Sequence, residues 1–240
     1  MKNRAIVSLM AALLVCLVSV SAFALEPYSQ DFESLSTSST TLGDDGWLVF
    51  ANVFGPDWAY WYGYGVFPAP NNYDSPAFSL LGSGEGGATQ GLQQLVILSD
   101  YNNADHAAGA FIEANVFQEQ AIAAGDVGET WVFDFDAKMG DLAGGTTALA
   151  FIKTLNPAAG YATTNFITLD MTSIPSTWGS YSLQLFIDGS LDGQILQIGF
   201  SSTATLYEPS GVFYDNVNFY ITGAVATEEI TLDGVKSLYR

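Results

Sequence analysis

A ten-residue segment with a strict two-residue period, Thr130–Met139 (TWVFDFDAKM), sets the first limit on the fold of this chain. Every second residue from Trp131 onwards is apolar, and the residues between them include Asp134 and Asp136. Successive side chains of a β-strand point to opposite faces of the sheet. The segment therefore predicts a strand with one buried face and one solvated face.

Similar segments continue along the chain and are separated by clusters of Gly, Asn, Asp and Pro, which are typical of turns. The segments after the first are 147–155, 165–171, 180–188, 194–202 and 211–221. Stretches with a helical period are short and interrupted by glycine. We predict about ten to twelve strands in two packed antiparallel sheets, an all-β, jelly-roll-like sandwich.

The N-terminus has the pattern of a secretory signal peptide. Lys2 and Arg4 precede an apolar run over 5–20, and a small-residue cleavage pattern ends at Ala24. We predict a signal peptide over 1–24 and a secreted or cell-surface protein. No second apolar run is long enough to predict a membrane span. The only cysteine, Cys16, lies in the signal, so the mature chain depends on a hydrophobic core without disulfides.

We predict one β-sandwich domain over 25–222, followed by a tail over 223–240. The tail begins with small residues after the last strong strand. It reads either as a flexible extension or as a C-terminal sorting or attachment segment, and the sequence leaves both open.

The charge of the chain limits its partners. The sequence contains 25 acidic and 6 basic residues, with a formal net charge of −19. Phosphate backbones are bound by clustered Lys and Arg, so nucleic acid is excluded as a partner, and anionic membranes and polyanionic polysaccharides are disfavoured. Neutral sugars and divalent cations remain compatible with the composition.

A carboxylate in the last predicted strand points to a metal. Strand alternation places Asp215 on the same face as Phe213, Val217 and Phe219, which is the predicted core face. A buried carboxylate without a partner is unfavourable by several kcal/mol or takes up a proton. Calcium accepts about six to eight oxygen ligands from distant parts of a chain. If the first and last strands pair, Asp31 or Glu33 would meet Asp215 at one structural calcium site; alternatively, Asp31 and Glu33 are solvated edge residues and Asp215 caps a β-bulge.

The most aromatic stretch is 55–67, GPDWAYWYGYGVF. Read as a strand, it places four rings on one face and Trp61 on the opposite, core-facing side. Such a row is either a platform for stacking a ligand or part of a loop that buries its rings. The candidate ligand-binding residues are Trp58, Tyr60, Tyr62, Tyr64 and Tyr101.

Tyr101 lies in the oxygen-rich loop 100–105, DYNNAD. This loop reads as an Asx-rich turn or as a second site for calcium or sugar hydroxyls. His106, the only histidine, follows this loop and is expected to be solvated.

Several segments together resemble jelly-roll carbohydrate-binding modules of families 4 and 9. Segment 116–138 resembles the central strand–turn–strand motif of these modules, which ends in an Ala-Lys pair. The opening, the Trp-containing strand and the closing strand of these modules resemble 31–47, 177–185 and 197–220. Segment 53–78 has no counterpart in those motifs, so the resemblance does not extend to sugar specificity.

The resemblance implies a galactose-binding-like β-sandwich with a structural calcium near Glu33 and Asp215. It also implies glycan binding through aromatic residues on a concave face or at loop ends. Catalytic patterns are missing from the sequence: it has no Gly-x-Ser-x-Gly and no His-Glu-x-x-His motif. Neither Asp134 with Asp136 nor Glu113 with Glu119 forms the close carboxylate runs of sandwich-fold glycanases.

These features predict a secreted, non-catalytic protein that binds neutral polysaccharide or glycan through an aromatic row on a calcium-stabilised sandwich. The alternative is a structural or adhesive extracellular protein that contacts other surface proteins or a matrix, since exposed aromatic patches serve both purposes.

Overall fold

The computed structural model describes residues 24–74, 77–204 and 211–222. All of the predicted signal peptide except Ala24, and all of the predicted tail, lie outside these residues. The described residues form twelve strands in two antiparallel sheets, which confirms the predicted all-β sandwich. Within the described residues, no helix has the length and apolar character needed to cross a membrane.

The first sheet consists of β1 (Tyr28–Gln30), β4 (Ser79–Ser83), β5 (Gln93–Ile97), β7 (Thr130–Asp141), β10 (Gly179–Phe186) and β12 (Gly211–Thr222). The strand order is β10-β7-β12-β5-β4, and the short β1 pairs with the second half of β12.

The second sheet consists of β2 (Leu48–Phe54), β3 (Tyr60–Pro68), β6 (Phe111–Ala121), β8 (Thr147–Asn156), β9 (Ala162–Asp170) and β11 (Ile195–Ala204). The strand order is β3-β2-β6-β11-β8-β9. Two one-turn helices, α1 (Thr41–Asp44) and α2 (Ala104–Ala107), lie in the connections.

The core lies between the sheets and consists mainly of aromatic and β-branched side chains. The predicted inward face of β7 is confirmed, because Trp131, Phe133 and Phe135 are at most 1% exposed. Phe200 of the second sheet stacks on Tyr214 of the first, with ring centroids 3.7 Å apart. Large buried rings supply the apolar area that a chain without disulfides needs for stability.

Candidate functional site

The outer face of the second sheet is defined by the residues of β6 that do not enter the core. Ile112, Ala114 and Val116 belong to the core cluster. Glu113 and Glu119 alternate with them in sequence and therefore point away from the core. Asn52 of β2 and Gln197 of β11 are their direct cross-strand partners, so these side chains share the outer face.

Four aromatic rings cluster at one corner of this outer face. Phe54 and Phe111 are cross-strand partners on β2 and β6. The Trp58 ring lies 4.4 Å from the Phe111 ring, and the Tyr60 ring lies 5.8 Å from the Phe54 ring. Trp58 is 56% exposed and Tyr60 is 59% exposed. The inner pair thus supports two rings that remain open to solvent.

The single four-ring row predicted from strand alternation is wrong. The pairing of β2 with β3 shifts its register between Val53 and Phe54, so Val53 faces Tyr62 and Phe54 faces Tyr60. Because Val53 points into the core and Phe54 points outward, the shift places Tyr60 and Tyr62 on opposite sides. Trp61 is also not a core residue: it is 47% exposed.

The other predicted tyrosines have hydroxyl partners away from this corner. Tyr62 donates a hydrogen bond to Asp105, and Tyr64 donates one to Asp100. The hydrogen bond to Asp105 raises the pKa of Tyr62, and burial together with Asp100 raises that of Tyr64. The side chains of Tyr62 and Tyr64 therefore link the 100–105 loop to β3.

The 100–105 loop has the geometry of an Asx turn. The Asn103 side chain accepts a hydrogen bond of 2.9 Å from the Asp105 backbone N–H and caps α2. Tyr101 donates its hydroxyl to the Tyr73 carbonyl. The expectation that His106 is solvated is wrong, since this residue is 2% exposed, and burial lowers the pKa of its imidazole.

The middle of the second sheet's outer face carries connected polar side chains. The Glu113 carboxylate accepts hydrogen bonds of 2.9 Å from the Asn52 amide and the Asn115 amide. Further along β6, the Glu119 carboxylate accepts a 2.7 Å hydrogen bond from the Gln197 amide. These bonds hold acceptor oxygens and amide groups in fixed positions beside the aromatic corner. The sequence signal for Asn52 and Glu113 was weak, because their proximity depends on strand pairing across 61 residues.

A lysine and two phenylalanines lie near the other edge of this face, away from the aromatic corner. Lys153 of β8 is the cross-strand partner of Gln197 and of Phe166. Its ammonium nitrogen lies 5.0 Å from the Phe151 ring centroid and 5.8 Å from that of Phe166. Burial lowers the pKa of Lys153, while Glu113 and Glu119 act in the opposite direction. The face therefore combines exposed rings, fixed amides and carboxylates, and the ammonium group of Lys153.

The predicted metal residues lie on the first sheet. Asp215 is 0% exposed, as expected, but it does not lie on the core face. It pairs with Asp136, an outward residue of β7, and its neighbour Tyr214 occupies the core. A β-bulge between Asp215 and Asn218, with a φ of 47° at Asn216, changes the phase of the strand after Asp215. The predicted common face with Val217 and Phe219 is therefore wrong.

The Asp215 carboxylate is incompletely satisfied. Its Oδ1 accepts a 2.6 Å hydrogen bond from the Asn216 backbone N–H, but its Oδ2 is buried and has no hydrogen-bond partner among the described residues. Burial, with smaller contributions from Glu33, Asp136 and Asp31, raises the pKa of Asp215 to about 7. An additional positive partner would remove this penalty.

The first strand pairs with the last, as the calcium hypothesis requires. β1 pairs with the part of β12 that follows Asp215, and the chain then continues through Asp31 and Glu33. The Glu33 carboxylate accepts hydrogen bonds of 2.7 and 2.6 Å from the backbone N–H groups of Leu92 and Gln93. Across the described ranges, no three Asp, Glu, His or Cys side chains are close enough to hold a metal ion. A calcium site here would therefore need backbone carbonyl and amide oxygens beside Asp215 and Glu33.

Comparisons with known proteins find only distant similarity. The sequence matches no protein-family model and no curated protein. The C-terminal family 22 carbohydrate-binding module of Clostridium thermocellum Xyn10B shares 15% identity at a TM-score of 0.43, covering 82% of this chain and 94% of that module. The cyclase Fisc from Fischerella sp. TAU shares 12% identity at a TM-score of 0.42, covering 81% of this chain and 97% of the cyclase.

The enzymatically active domain of tailspike protein 4 from bacteriophage CBA120 shares 15% identity at a TM-score of 0.46. The similarity covers 78% of this chain, which spans only 21% of the tailspike chain. The all-β sandwich of this chain rests on its own strand pairing. At these identities and TM-scores the similarity assigns no ligand and no activity to it, and the ligands and activities of those proteins remain their own.

Proposed function

We propose that this chain is a secreted, non-catalytic module that binds a neutral glycan on the outer face of its second sheet. The observation that carries the proposal is the position of Trp58 and Tyr60. Both rings are more than half exposed, yet they are supported by Phe54 and Phe111 and stand beside the Asn52–Glu113–Asn115 hydrogen bonds.

This combination matches the chemistry of a sugar ring. The C–H faces of a pyranose pack on aromatic rings, and its hydroxyls exchange hydrogen bonds with amides and carboxylates. Supported rings lose little conformational entropy on binding, which favours affinity. The large negative charge of the chain opposes an anionic ligand. A neutral glycan is therefore the ligand class that fits this face.

The carboxylate geometry favours binding over hydrolysis. Glu113 and Glu119 are six residues apart on one strand, or about 20 Å at 3.3 Å per residue, whereas glycosidase carboxylates lie about 5 to 9.5 Å apart. Asp134 and Asp136 are closer. Burial acts to raise the pKa of Asp136, but hydrogen bonds from Asn216, Ser180 and Gln90 lower it below its ordinary value. A general acid needs a raised pKa.

A structural calcium bound by Asp215 and Glu33 completes the proposal. The buried, unpartnered Oδ2 of Asp215 supports it, because a cation would stabilise the ionised carboxylate there. Melting curves with calcium and with an excess of EDTA test this part. We expect a lower melting temperature in EDTA, and an unchanged melting temperature would contradict the calcium site.

Binding to a glycan array in calcium buffer tests the ligand. We expect Trp58→Ala and Tyr60→Ala each to weaken binding about tenfold or more, as truncation of an aromatic hot spot does. Tyr73→Ala is the matched control, since Tyr73 is 55% exposed but lies outside this face. Equal loss in the control, or full binding by both test variants, would refute the proposed site.

Protein contact is a second candidate function, favoured by the edge strand β3. This strand pairs only with β2 among the described strands, and its nine residues carry no charge. Uncharged edge strands can add a strand from another chain. Concentration-dependent self-association in sedimentation experiments, together with a glycan array without hits, would support this function in place of the first.

A further inference from the structure

A transverse row of short polar side chains crosses the outer face of the first sheet. Ser182, Asp134, Asn218 and Ser29 lie on the adjacent strands β10, β7, β12 and β1, and each is the direct cross-strand partner of the next. Three steps between strands at about 4.8 Å make the row about 14 Å long. This face is separated by the core from the second sheet, so the row is remote from Trp58 and Tyr60.

The row forms the floor of a continuous depression, which we name the first-sheet trough. A cavity of about 480 Å³ lies over Asp134, Asn218 and neighbouring residues of β10, and a cavity of about 490 Å³ shares Asp134 and Asn218 with it. The second cavity includes the outward ring of Tyr220, whereas the ring of Tyr28, which also lines this cavity, packs toward the core. A third cavity of about 310 Å³ meets the first at Asp136 and includes Trp178. The trough therefore has an aromatic ring at each end, Tyr220 and Trp178.

Hydrogen bonds within the trough hold its polar groups in place. The Tyr220 hydroxyl donates a 2.6 Å hydrogen bond to Asp134, and the Ser29 hydroxyl donates a 2.8 Å hydrogen bond to Asn218. Asp136 accepts hydrogen bonds of 2.7 Å from the Ser180 hydroxyl and 2.8 Å from the Asn216 amide. Each carboxylate oxygen has more than one acceptor position, so these groups can also accept hydrogen bonds from a ligand.

The charge and polarity of the lining select the class of ligand. Among the described residues, neither lysine nor arginine lines the trough, and the nearby Lys138 is paired with Glu85 at 2.5 Å. The carboxylates of Asp134 and Asp136 would repel an anion. A hydrophobic ligand would leave the floor groups without water or other partners, which is unfavourable. A neutral ligand with many hydroxyls satisfies the floor and can pack on the aromatic ends.

We propose that the first-sheet trough is a second glycan site, which binds a neutral oligosaccharide segment across β10, β7, β12 and β1. Two sites on opposite faces would allow one chain to contact two glycan chains at once. Binding to an insoluble polysaccharide then gains avidity, which neither site provides alone.

Nuclear magnetic resonance titration of the secreted chain in calcium buffer tests the trough without a variant. The probes are cellohexaose, xylohexaose and mannohexaose at millimolar concentration. We expect at least one probe to shift the backbone amide signals of Ser182, Asn218 and Tyr220 in a saturable manner. If none of the three probes shifts these signals, or if the shifts follow protein concentration and not sugar concentration, the proposal is overturned.

A pair of variants then separates this site from the one on the second sheet. Ser182 is exposed on the edge strand β10, so Ser182→Leu should fold normally while its side chain fills the trough. We expect Ser182→Leu to weaken binding in the trough about tenfold or more and to leave binding near Trp58 unchanged. Trp58→Ala should do the reverse. If a folded Ser182→Leu variant binds the oligosaccharide in the trough with the affinity of the wild type, the proposal is overturned. If Trp58→Ala has no effect but Ser182→Leu does, only the site on the second sheet fails.

Discussion

Replacement of Asp215 by asparagine should make the protein more stable at neutral pH when calcium is removed. Asp215 is fully buried, and its pKa is raised from the ordinary 3.8 to about 7, chiefly by burial. Asparagine has nearly the same shape, retains an oxygen for the Asn216 N–H, and cannot ionise. The variant therefore removes the unfavourable ionisation, while its amide N–H groups at the buried Oδ2 position offset part of the gain.

The expected magnitude follows from the two pKa values. At about 1.4 kcal/mol for each pH unit, a rise from 3.8 to about 7 corresponds to about 4 kcal/mol of stability lost when the folded protein carries the ionised group. Water entry and relaxation around the carboxylate reduce this value, so about 4 kcal/mol is an upper estimate.

The pH dependence has a definite sign. Between pH 4 and 7 the folded protein binds the Asp215 proton and the unfolded chain has released it, so the free energy of unfolding falls as the pH rises. Below pH 4 the Asp215 carboxyl is protonated in both the folded and the unfolded state, so its burial causes no loss of stability. Above pH 7 the full loss of stability is reached. Bound calcium stabilises the carboxylate and should reverse the order of wild type and variant.

Urea unfolding of wild type and Asp215→Asn at several values from pH 4 to 8, in EDTA and in calcium, measures this effect. The difference between the two proteins is the informative quantity, because general repulsion among the other acidic residues is common to both. In EDTA we expect the advantage of the variant to grow through this range and to level off near pH 7. A difference that does not change with pH would refute the reasoning about Asp215.

Three further substitutions test the packing around the sites. Gly199→Ala should destabilise the protein by about 1–3 kcal/mol, because a Cβ there would lie 2.3 Å from the Val116 carbonyl oxygen. A change in the free energy of unfolding below about 0.5 kcal/mol, measured by urea unfolding, would contradict this prediction. Tyr64→Phe should lower the free energy of unfolding by about 1–3 kcal/mol, since the largely buried Asp100 loses a donor. Tyr62→Phe, which affects a more exposed hydrogen bond to Asp105, should have a smaller effect, and an equal loss in both would contradict the burial argument.

The strands were predictable because their pattern is local. The alternation of apolar and polar residues within 130–139 is enough to predict which face of the strand is buried. The structure places Trp131, Phe133 and Phe135 in the core. The pairing of the first strand with the last was also proposed from sequence, and Tyr28 does face Phe219. The single domain, the signal peptide and the tail remain predictions.

The candidate sites were only partly predictable. A β-bulge inserts an extra residue into a strand, and the alternation of apolar and polar residues in the sequence does not reveal where. One bulge separates Tyr60 from Tyr62, and another turns Asp215 away from the core although the sequence places it in phase with Val217. Neighbours on different strands, such as Asn52 and Glu113, depend on a register that a single sequence does not reveal.

The sequence by itself determined the class of fold and the buried face of the central strand, because these depend on local periodicity; the exclusion of nucleic acid follows from total charge and remains a prediction. Only the tertiary structure decided which aromatic rings share a face, which residues surround Asp215, and where the first-sheet trough lies. The physical reason is that strand register and bulges are chosen by packing between distant segments, and one residue of shift moves every following side chain to the opposite face.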